Sequence, residues 1–312
     1  MKTNTAKVFQ FPARHANGGA AIRTETSARI SRISSPAAAP KWSTRPQPDS
    51  ANVVRPINEG AAQPGWLLDA ISDERVVVHY QPQYDLISRR VVSVEALVRL
   101  TDTRGELYYP DSFIEVAEES GLILALGRVV IKQVCRDLAE WRAQGLELAS
   151  VAINLSASQL SLDDMLGPFI DKMLMSYDLA YSDLEFEITE RQQLDHRGPG
   201  AETLRTLAHN GSRLALDDFG IGYSSISFLT ELPIDTVKLD RSMVSKVLTD
   251  QTTQRVIHHL MNMAKDLGLK VIAEGIETDE QDDYLREVSC DLGQGFGFAR
   301  PMPADRLAEL IR

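Results

Sequence analysis

Short apolar runs alternate with segments of helical periodicity through residues 66–312, and this alternation limits the fold more than any other feature of the 312-residue chain. The runs are rich in Val, Ile, Leu and aromatic residues and are short enough to be β-strands. In segment 126–141, apolar residues recur every three or four positions, as on the buried face of a helix. Eight strands that alternate with helices predict an α/β fold, a (β/α)8 TIM-like barrel, with a doubly wound sheet as the alternative. The predicted strands are 76–83, 91–100, 149–155, 184–188, 213–217, 236–239, 271–273 and 296–298, and the other predicted helices are 201–208, 253–267 and 304–311.

The N-terminal segment differs from the rest of the chain in charge and composition. Residues 1–64 contain nine Lys/Arg against three Asp/Glu and seven of the fourteen prolines, whereas the remaining 248 residues contain 24 Lys/Arg against 41 Asp/Glu. Too few large apolar side chains are present in this segment to offset the entropy that ordering would cost. We therefore expect a disordered basic tail at 1–65 and one folded domain at 66–312. The tail is interpreted as a solvated linker, and a weak contact with an anionic surface or partner is the alternative.

Several classes of protein do not fit the sequence. The acidic domain is a poor candidate for binding polymeric nucleic acid, which requires a surface rich in Lys and Arg. No run of 18 apolar residues is present, and the start of the chain lacks an apolar signal region, so we expect neither a transmembrane segment nor secretion. The two cysteines, Cys135 and Cys290, cannot form a disulfide framework. We therefore expect a cytoplasmic protein.

Polar side chains stand where seven of the predicted apolar strands stop. In a barrel, the carboxyl ends of the strands meet at one mouth, which is where such folds carry out chemistry. Five carboxylates at one mouth repel one another unless cations lie between them, and carboxylate and amide oxygens are preferred ligands of Mg²⁺ and Mn²⁺. No Cys/His spacing typical of zinc is present. The polar residues at these positions are Glu95, Asn154, Glu187, Asp217, Asp218, Lys238, Glu274 and Gln294.

The adjacent pair Asp217–Asp218 refines this metal hypothesis. Consecutive strand residues point to opposite faces, but both can face a site where the chain turns at the end of a strand. Such a pair could hold two metals with a shared carboxylate, an arrangement that clamps the attacking and leaving oxygens of a phosphodiester. Lys238 would lie close by and could balance charge, hold the attacking water, or do both.

Eight motifs occur together, in order and at the spacing of one known family. They are the stretch from YQP to EALVR, followed by FIEVAEESGLI, NLSASQL, EITE, LDDFGIGYSSISFL, LPIDTVKLD, AEGIET and GQGFGFARPMP. On these motifs, residues 80–301 resemble the EAL domain, a phosphodiesterase module that hydrolyses the bacterial second messenger cyclic di-GMP to linear pGpG. The resemblance implies a barrel of the TIM class with one strand reversed, which the strand count alone does not show.

The resemblance also implies a set of metal ligands. Glu95, Asn154, Glu187 and Asp217 resemble the ligands of one Mg²⁺ or Mn²⁺ ion. Asp217 and Asp218 resemble the ligands of a second ion, with Asp217 bridging the two.

Further roles follow from the same resemblance. Lys238 resembles the residue that contacts the nucleophilic water, Glu274 the outer carboxylate that acts as base or organises water, and Gln294 a polar partner near that water. Gln81 and Arg99 resemble positions that contact the substrate.

Glu190 and Glu277 match supporting positions of the family, and Glu190 resembles the glutamate that steadies the DDFG loop. A homodimer is implied through the helix after that loop, at about 224–232. The sequence departs from the family at Leu100, where Trp is frequent, and at Ile221, where Thr is frequent. We expect Leu100 to affect packing near the substrate and Ile221 to affect dimer coupling.

Two other functions remain open from the sequence. The first is a catalytically weak module that binds cyclic di-GMP or a protein partner as a regulator. The second, which does not depend on the resemblance, is a barrel enzyme that abstracts a proton next to a carboxylate, with Lys238 as the base.

Overall fold

A computed structural model of the chain describes residues 63–189, 194–195, 197–220 and 225–312. The tail predicted at 1–65 lies outside the described residues except for its last three positions. Glu190, Ile221 and the start of the predicted dimer helix at residue 224 also lie outside them.

The described residues form a closed barrel of eight strands, and one further short strand, residues 107–108, is added at its edge. Each strand pairs with its neighbours, and closure comes from the pairing of the first strand with both the second and the ninth. The barrel prediction is confirmed, and the doubly wound alternative is excluded because an open sheet has no such closing pair. The strands are β1 (Val76–Asp85), β2 (Val91–Thr101), β3 (Leu107–Tyr108), β4 (Val151–Asn154), β5 (Leu184–Thr189), β6 (Arg213–Phe219), β7 (Thr236–Leu239), β8 (Lys270–Ala273) and β9 (Leu292–Gly293).

Strand β1 is the reversed strand of the barrel. It pairs antiparallel with β2 and β9, whereas the pairs from β2–β4 through β8–β9 are parallel. A turn of five residues, 86–90, joins β1 to β2, and the Asp85 carboxylate caps it by accepting hydrogen bonds from the backbone N–H groups of Ile87 and Ser88. So short a connection suffices for antiparallel strands, whereas parallel neighbours require a crossover of a dozen residues or more.

Helices surround the barrel and cover its outer apolar surface. The segments predicted as helices are all helical, and the longest one buries Val130, Val134, Leu138 and Trp141 along one face. None of the helices in the described part of the chain has both the length and the apolar character that crossing a bilayer requires. The helices are α1 (Pro64–Ser72), α2 (Ile114–Glu119), α3 (Ile123–Ala143), α4 (Ala157–Leu162), α5 (Leu166–Tyr177), α6 (Pro199–Asn210), α7 (Ser225–Glu231), α8 (Arg241–Val244), α9 (Gln251–Leu267), α10 (Asp279–Glu287) and α11 (Ala304–Ile311).

The prediction of a last strand at 296–298 is wrong. The last strand is instead β9, at Leu292–Gly293, and residues 296–298 form a turn that packs against the loop after β8. A Cβ atom on Gly295 would lie 2.2 Å from the backbone nitrogen of Ile276, so the chain passes that loop at a distance only glycine permits. The aromatic residues that suggested a strand therefore belong to a tight turn, whereas Leu292 and Gly293 carry no strand signal of their own.

Candidate active site

The side chain of Lys238 lies at the centre of a cluster of acidic residues inside the barrel. Its Nζ is 2.7 Å from Glu187 Oε2 and 2.8 Å from Glu274 Oε1, and it is 3.4 Å from both Glu95 Oε2 and Asp217 Oδ1. Lys238 is 0% exposed. Four of the carboxylates predicted from the strand ends therefore come together around the ammonium group of Lys238.

The residues of the site lie at different positions along their strands. Asn154 is the last residue of β4, and Glu274 and Gln294 follow directly after β8 and β9, as the sequence pattern predicts. Glu95 was expected at a strand end, and this expectation is wrong, since it lies in the middle of β2 opposite Ala152 of β4. Strand β2 continues past it because residues 97–100 pair with 76–79 of β1, beyond the last β2–β4 pair.

Asp217 and Asp218 lie at an irregularity of β6 rather than at its end. The pairing of β6 with β7 shifts between Leu216 and Phe219, and Asp218 has a left-handed φ of 57°. The Asp218 backbone N–H donates to Asp217 Oδ1 at 2.8 Å. Strand β6 continues to Phe219, so the turn that was expected at the aspartates is not present. A bulge, with its local shift in register, positions the two side chains instead.

Amide side chains hold two of the carboxylates. Gln294 Nε2 donates to Glu95 Oε2 at 2.7 Å and to Glu274 Oε1 at 3.0 Å, and Asn154 Nδ2 donates to Glu95 Oε1 at 3.0 Å. Both oxygens of Glu95 are thus hydrogen-bonded, which fixes the orientation of its carboxylate.

The ionisation of the cluster is set by burial and by Lys238. Burial would lower the pKa of Lys238, but the four carboxylates raise it well above its usual value, so the ammonium stays charged. Burial raises the pKa of Glu187 well above normal and raises that of Glu274 to about 8, against the opposing effect of Lys238. Burial would also raise the pKa of Glu95, but Lys238 and the amide donors lower it on balance. Without a metal, the raised pKa values favour the protonated forms of Glu187 and Glu274, whereas Glu95 stays ionised beside the charged Lys238.

The donor atoms fit hard divalent cations. They are carboxylate and amide oxygens, and Glu187 Oε1 is buried without a hydrogen-bond partner, an arrangement that a cation would satisfy. Across the described ranges, no group of three or more His, Cys, Asp or Glu side chains is arranged as a closed ligand set. Lys238 Nζ lies among the carboxylates as their counter-ion. The oxygen donors nevertheless have the chemistry that a divalent cation prefers.

The other predicted residues lie around this cluster. Gln81 is the cross-strand partner of Glu95 and donates from Nε2 to the carbonyl oxygen of Ala299 at 2.5 Å. Arg99 is buried four residues further along β2, with its guanidinium 4.9 Å above the ring of Tyr109. Arg99 therefore lies nearer the end of β2 than the acidic cluster does.

Glu277 lies outside the cluster. It is half exposed and pairs with Arg241, the first residue of α8, at 2.5 Å. This contact joins the loop after β8 to the start of α8.

A cavity of about 730 Å³ adjoins the site. Leu97, Asn154 and Thr189 line it from the barrel, and Ile114 and Leu126 line it from α2 and α3. Asn154, which contacts Glu95, connects the cavity to the acidic cluster, and none of the four carboxylates lines it. The sequence pattern does not reveal the cavity, because its walls come from strands and helices that only the fold brings together.

Sequence reasoning missed two buried polar residues of the barrel interior, Gln83 and Ser93. Gln83 Nε2 donates to Gln294 Oε1 at 3.0 Å, and Ser93 Oγ donates to Gln83 Oε1 at 2.6 Å. The available signal was the alternation of Gln81 and Gln83 in a strand, which places both on one face.

Comparisons with known proteins agree with the fold. The profile of the EAL domain family matches residues 65–301. The cyclic di-GMP phosphodiesterase PdeR of Escherichia coli is 38% identical over 238 residues, which are 76% of this chain and 36% of PdeR. The cyclic di-GMP phosphodiesterase NbdA of Pseudomonas aeruginosa is 39% identical over 249 residues, 79% of this chain and 31% of NbdA. The chain thus spans about a third of the length of these relatives.

A solved structure is also similar to this chain. The PaMucR phosphodiesterase in complex with c-di-GMP is 32% identical, covers 77% of this chain and 97% of that one, and has a TM-score of 0.72.

Proposed function

The chain belongs to the EAL domain family, and from this we propose that its domain at 66–312 hydrolyses cyclic di-GMP to linear pGpG. The observation that carries the proposal is the group of four carboxylates around Lys238, with Gln294 and Asn154 bound to two of them. The names of relatives such as PdeR support the choice of substrate.

The proposed cofactors are two Mg²⁺ or Mn²⁺ ions. Glu95, Asn154, Glu187 and Asp217 would hold one, and Asp217 and Asp218 would hold the other. The partnerless Glu187 Oε1 supports this assignment. When bound, such ions neutralise the phosphodiester and lower the pKa of water.

The proposed roles of Lys238 and Glu274 follow from their contacts. Lys238 stays protonated, so its Nζ acts as a hydrogen-bond donor and a fixed positive charge for the attacking oxygen. Glu274 Oε1 accepts hydrogen bonds from Lys238 and Gln294. We therefore assign Glu274 Oε2 as the atom that accepts a proton from the attacking water, with Gln294 holding the carboxylate in position.

The substrate would lie along the barrel mouth. Gln81 and Arg99 face the same side of the β1–β2 hairpin as Glu95, so they are assigned to the sugar–phosphate ring. The cavity of about 730 Å³ falls in the range of small-molecule pockets, and its apolar walls fit one guanine base. Glu277, in the loop after β8, and Glu190, which lies outside the described residues, are assigned the supporting roles that the family resemblance implies.

We expect the purified protein to convert cyclic di-GMP to pGpG in the presence of Mn²⁺ or Mg²⁺, because the carboxylates would otherwise repel the anionic substrate. Chromatographic separation of the nucleotides measures the conversion. Chelation with EDTA should stop turnover, and added metal should restore it. Absence of product with every divalent cation tested would refute the proposed hydrolysis.

A cyclic di-GMP receptor without useful turnover is the second candidate. The EAL domain family and the charged state of Lys238, which cannot then act as a base, favour it over the proton-abstraction enzyme. Calorimetry distinguishes it, because a receptor would bind the nucleotide tightly in the presence of metal without forming product.

We further propose a homodimer through the helix at 224–232, in keeping with the family. Size-exclusion chromatography with light scattering should give twice the chain mass of 34.6 kDa. A strict monomer across the concentration range of the assay would contradict the dimer.

A further inference from the structure

A directed chain of hydrogen bonds runs through the barrel interior to the acidic cluster. Ser93 Oγ donates to Gln83 Oε1 at 2.6 Å, and Gln83 Nε2 donates to Gln294 Oε1 at 3.0 Å. Gln294 Nε2 then donates to Glu95 and Glu274 at 2.7 and 3.0 Å. Gln83, Ser93 and Gln294 are 1%, 6% and 7% exposed, so the hydroxyl and amide members of the chain are buried.

The backbone fixes the positions of the members of the chain. Gln83 and Ser93 are cross-strand partners in the β1–β2 hairpin. The next residue of β1, Tyr84, pairs with Gly293 of β9, so Gln294 comes next to Gln83. The backbone of Gln294 is held by its own bonds to Ala273 and Ile276. The rotation of the Gln294 amide group is therefore the main freedom that the side chain retains.

The chemistry of the groups gives the chain one direction. Gln294 presents its NH₂ group to the carboxylate oxygens of Glu95 and Glu274, and its Oε1 then needs a donor. Gln83 supplies that donor only while its own Oε1 faces Ser93. The Ser93 hydroxyl is the first hydrogen-bond donor of the chain. Both N–H groups of Gln294 are used, one for each carboxylate.

We propose that Gln83 and Ser93 are positioning residues that set the orientation of the Gln294 amide and thereby hold Glu95 and Glu274 together at the reaction centre. This inference rests on the proposed function, since it assigns these residues a part in the same site. Gln83 and Ser93 touch neither the carboxylates nor the substrate position, and they act through Gln294 alone. Their contribution is to pre-orient groups that would otherwise adopt several arrangements.

Gln83→Met tests the inference, because it keeps the length of the side chain and removes the donor to Gln294 Oε1. We expect kcat to fall about tenfold, as for other outer partners of metal ligands, with KM changed less than about twofold. The affinity for Mn²⁺, measured by calorimetry without substrate, should fall by a similar factor. A crystal structure of the variant should show Gln294 turned away from Glu95 or Glu274.

Ser93 provides a second test with a smaller change of volume. Ser93→Ala should lower kcat and Mn²⁺ affinity in the same direction as Gln83→Met, and Ser93→Thr, which keeps the hydroxyl, should retain both. The matched control is Gln133→Met on α3, which removes a hydrogen bond of 2.7 Å to Val76 away from the site and should leave kcat unchanged.

The outcomes separate the inference from the proposed function. If the unchanged protein shows no turnover, the proposed hydrolysis fails, while Mn²⁺ affinity and the orientation of Gln294 still test the positioning role. If Gln83→Met and Ser93→Ala lower thermal stability but leave kcat, Mn²⁺ affinity and Gln294 unchanged, the two residues are only core packing and the inference is overturned.

Discussion

Replacing Lys238 by methionine should abolish turnover and lower the melting temperature of the metal-free protein by on the order of 10 °C. The ammonium is fully buried and lies within 3.4 Å of four carboxylate oxygens. Removing one partner from a buried ionic cluster costs about 3–5 kcal/mol, because the remaining charges lose their compensation. In a domain of about 250 residues, each kcal/mol lowers the melting temperature by about 2–4 °C.

The effect of Mn²⁺ makes this prediction specific. Cations that bind the carboxylates would replace part of the lost positive charge, so Mn²⁺ should raise the melting temperature of Lys238→Met more than that of the unchanged protein. Turnover should stay lost, because no donor remains at the position of Nζ. Differential scanning fluorimetry with EDTA and with Mn²⁺ gives the comparison.

Lys270→Met is the matched control for this variant. Lys270 is the exposed first residue of β8, at the opposite end of the strand from Glu274. The same substitution there should change the free energy of unfolding by about 0.5 kcal/mol or less and leave turnover intact. Full activity of Lys238→Met would show that the ammonium has no part in the reaction.

The barrel could be predicted from the sequence because its parallel strands are short apolar runs separated by helices. Strand β7 occupies the predicted residues 236–239. The direction of β1 follows from the connection at 86–90, which is too short for a crossover; reading the length of that loop would have predicted the reversal. The strand predicted at 296–298 was wrong because aromatic residues in a glycine-rich turn resemble the composition of a strand.

The residue types of the site could also be predicted from the sequence. Polar residues that interrupt apolar strands identify Glu187, Lys238 and Glu274, because a barrel brings such positions to one mouth. The arrangement was not predictable, since the sequence does not indicate that Lys238 Nζ lies among the carboxylates. Gln83 and Ser93 escaped notice because a polar residue in a strand is more often on the solvent side.

Glu95→Gln should reduce turnover more than about 100-fold while leaving the metal-free protein as stable as before. Changing outer partners of metal ligands costs 10- to 100-fold in activity, so loss of a carboxylate ligand costs more. Stability is retained because losing the Glu95 charge removes a repulsion that raises the pKa of Glu187 and Glu274, so these two can ionise and, with Asp217, remain partners of Lys238. The stabilisation by Mn²⁺ should shrink with the loss of the ligand.

Asp217→Asn is the second variant of this kind, and the matched control is Glu185→Gln. Glu185 lies two residues before Glu187 on β5, is buried, and pairs with Arg213 at 3.1 Å. The control should therefore lose stability, because Arg213 is left without its partner, and keep its turnover and its response to Mn²⁺. The two sets of variants are thus expected to move in opposite directions, because Glu95 and Asp217 are the proposed metal ligands whereas the Glu185–Arg213 pair stabilises the fold. Full turnover in both Glu95→Gln and Asp217→Asn would refute the assignment of the site.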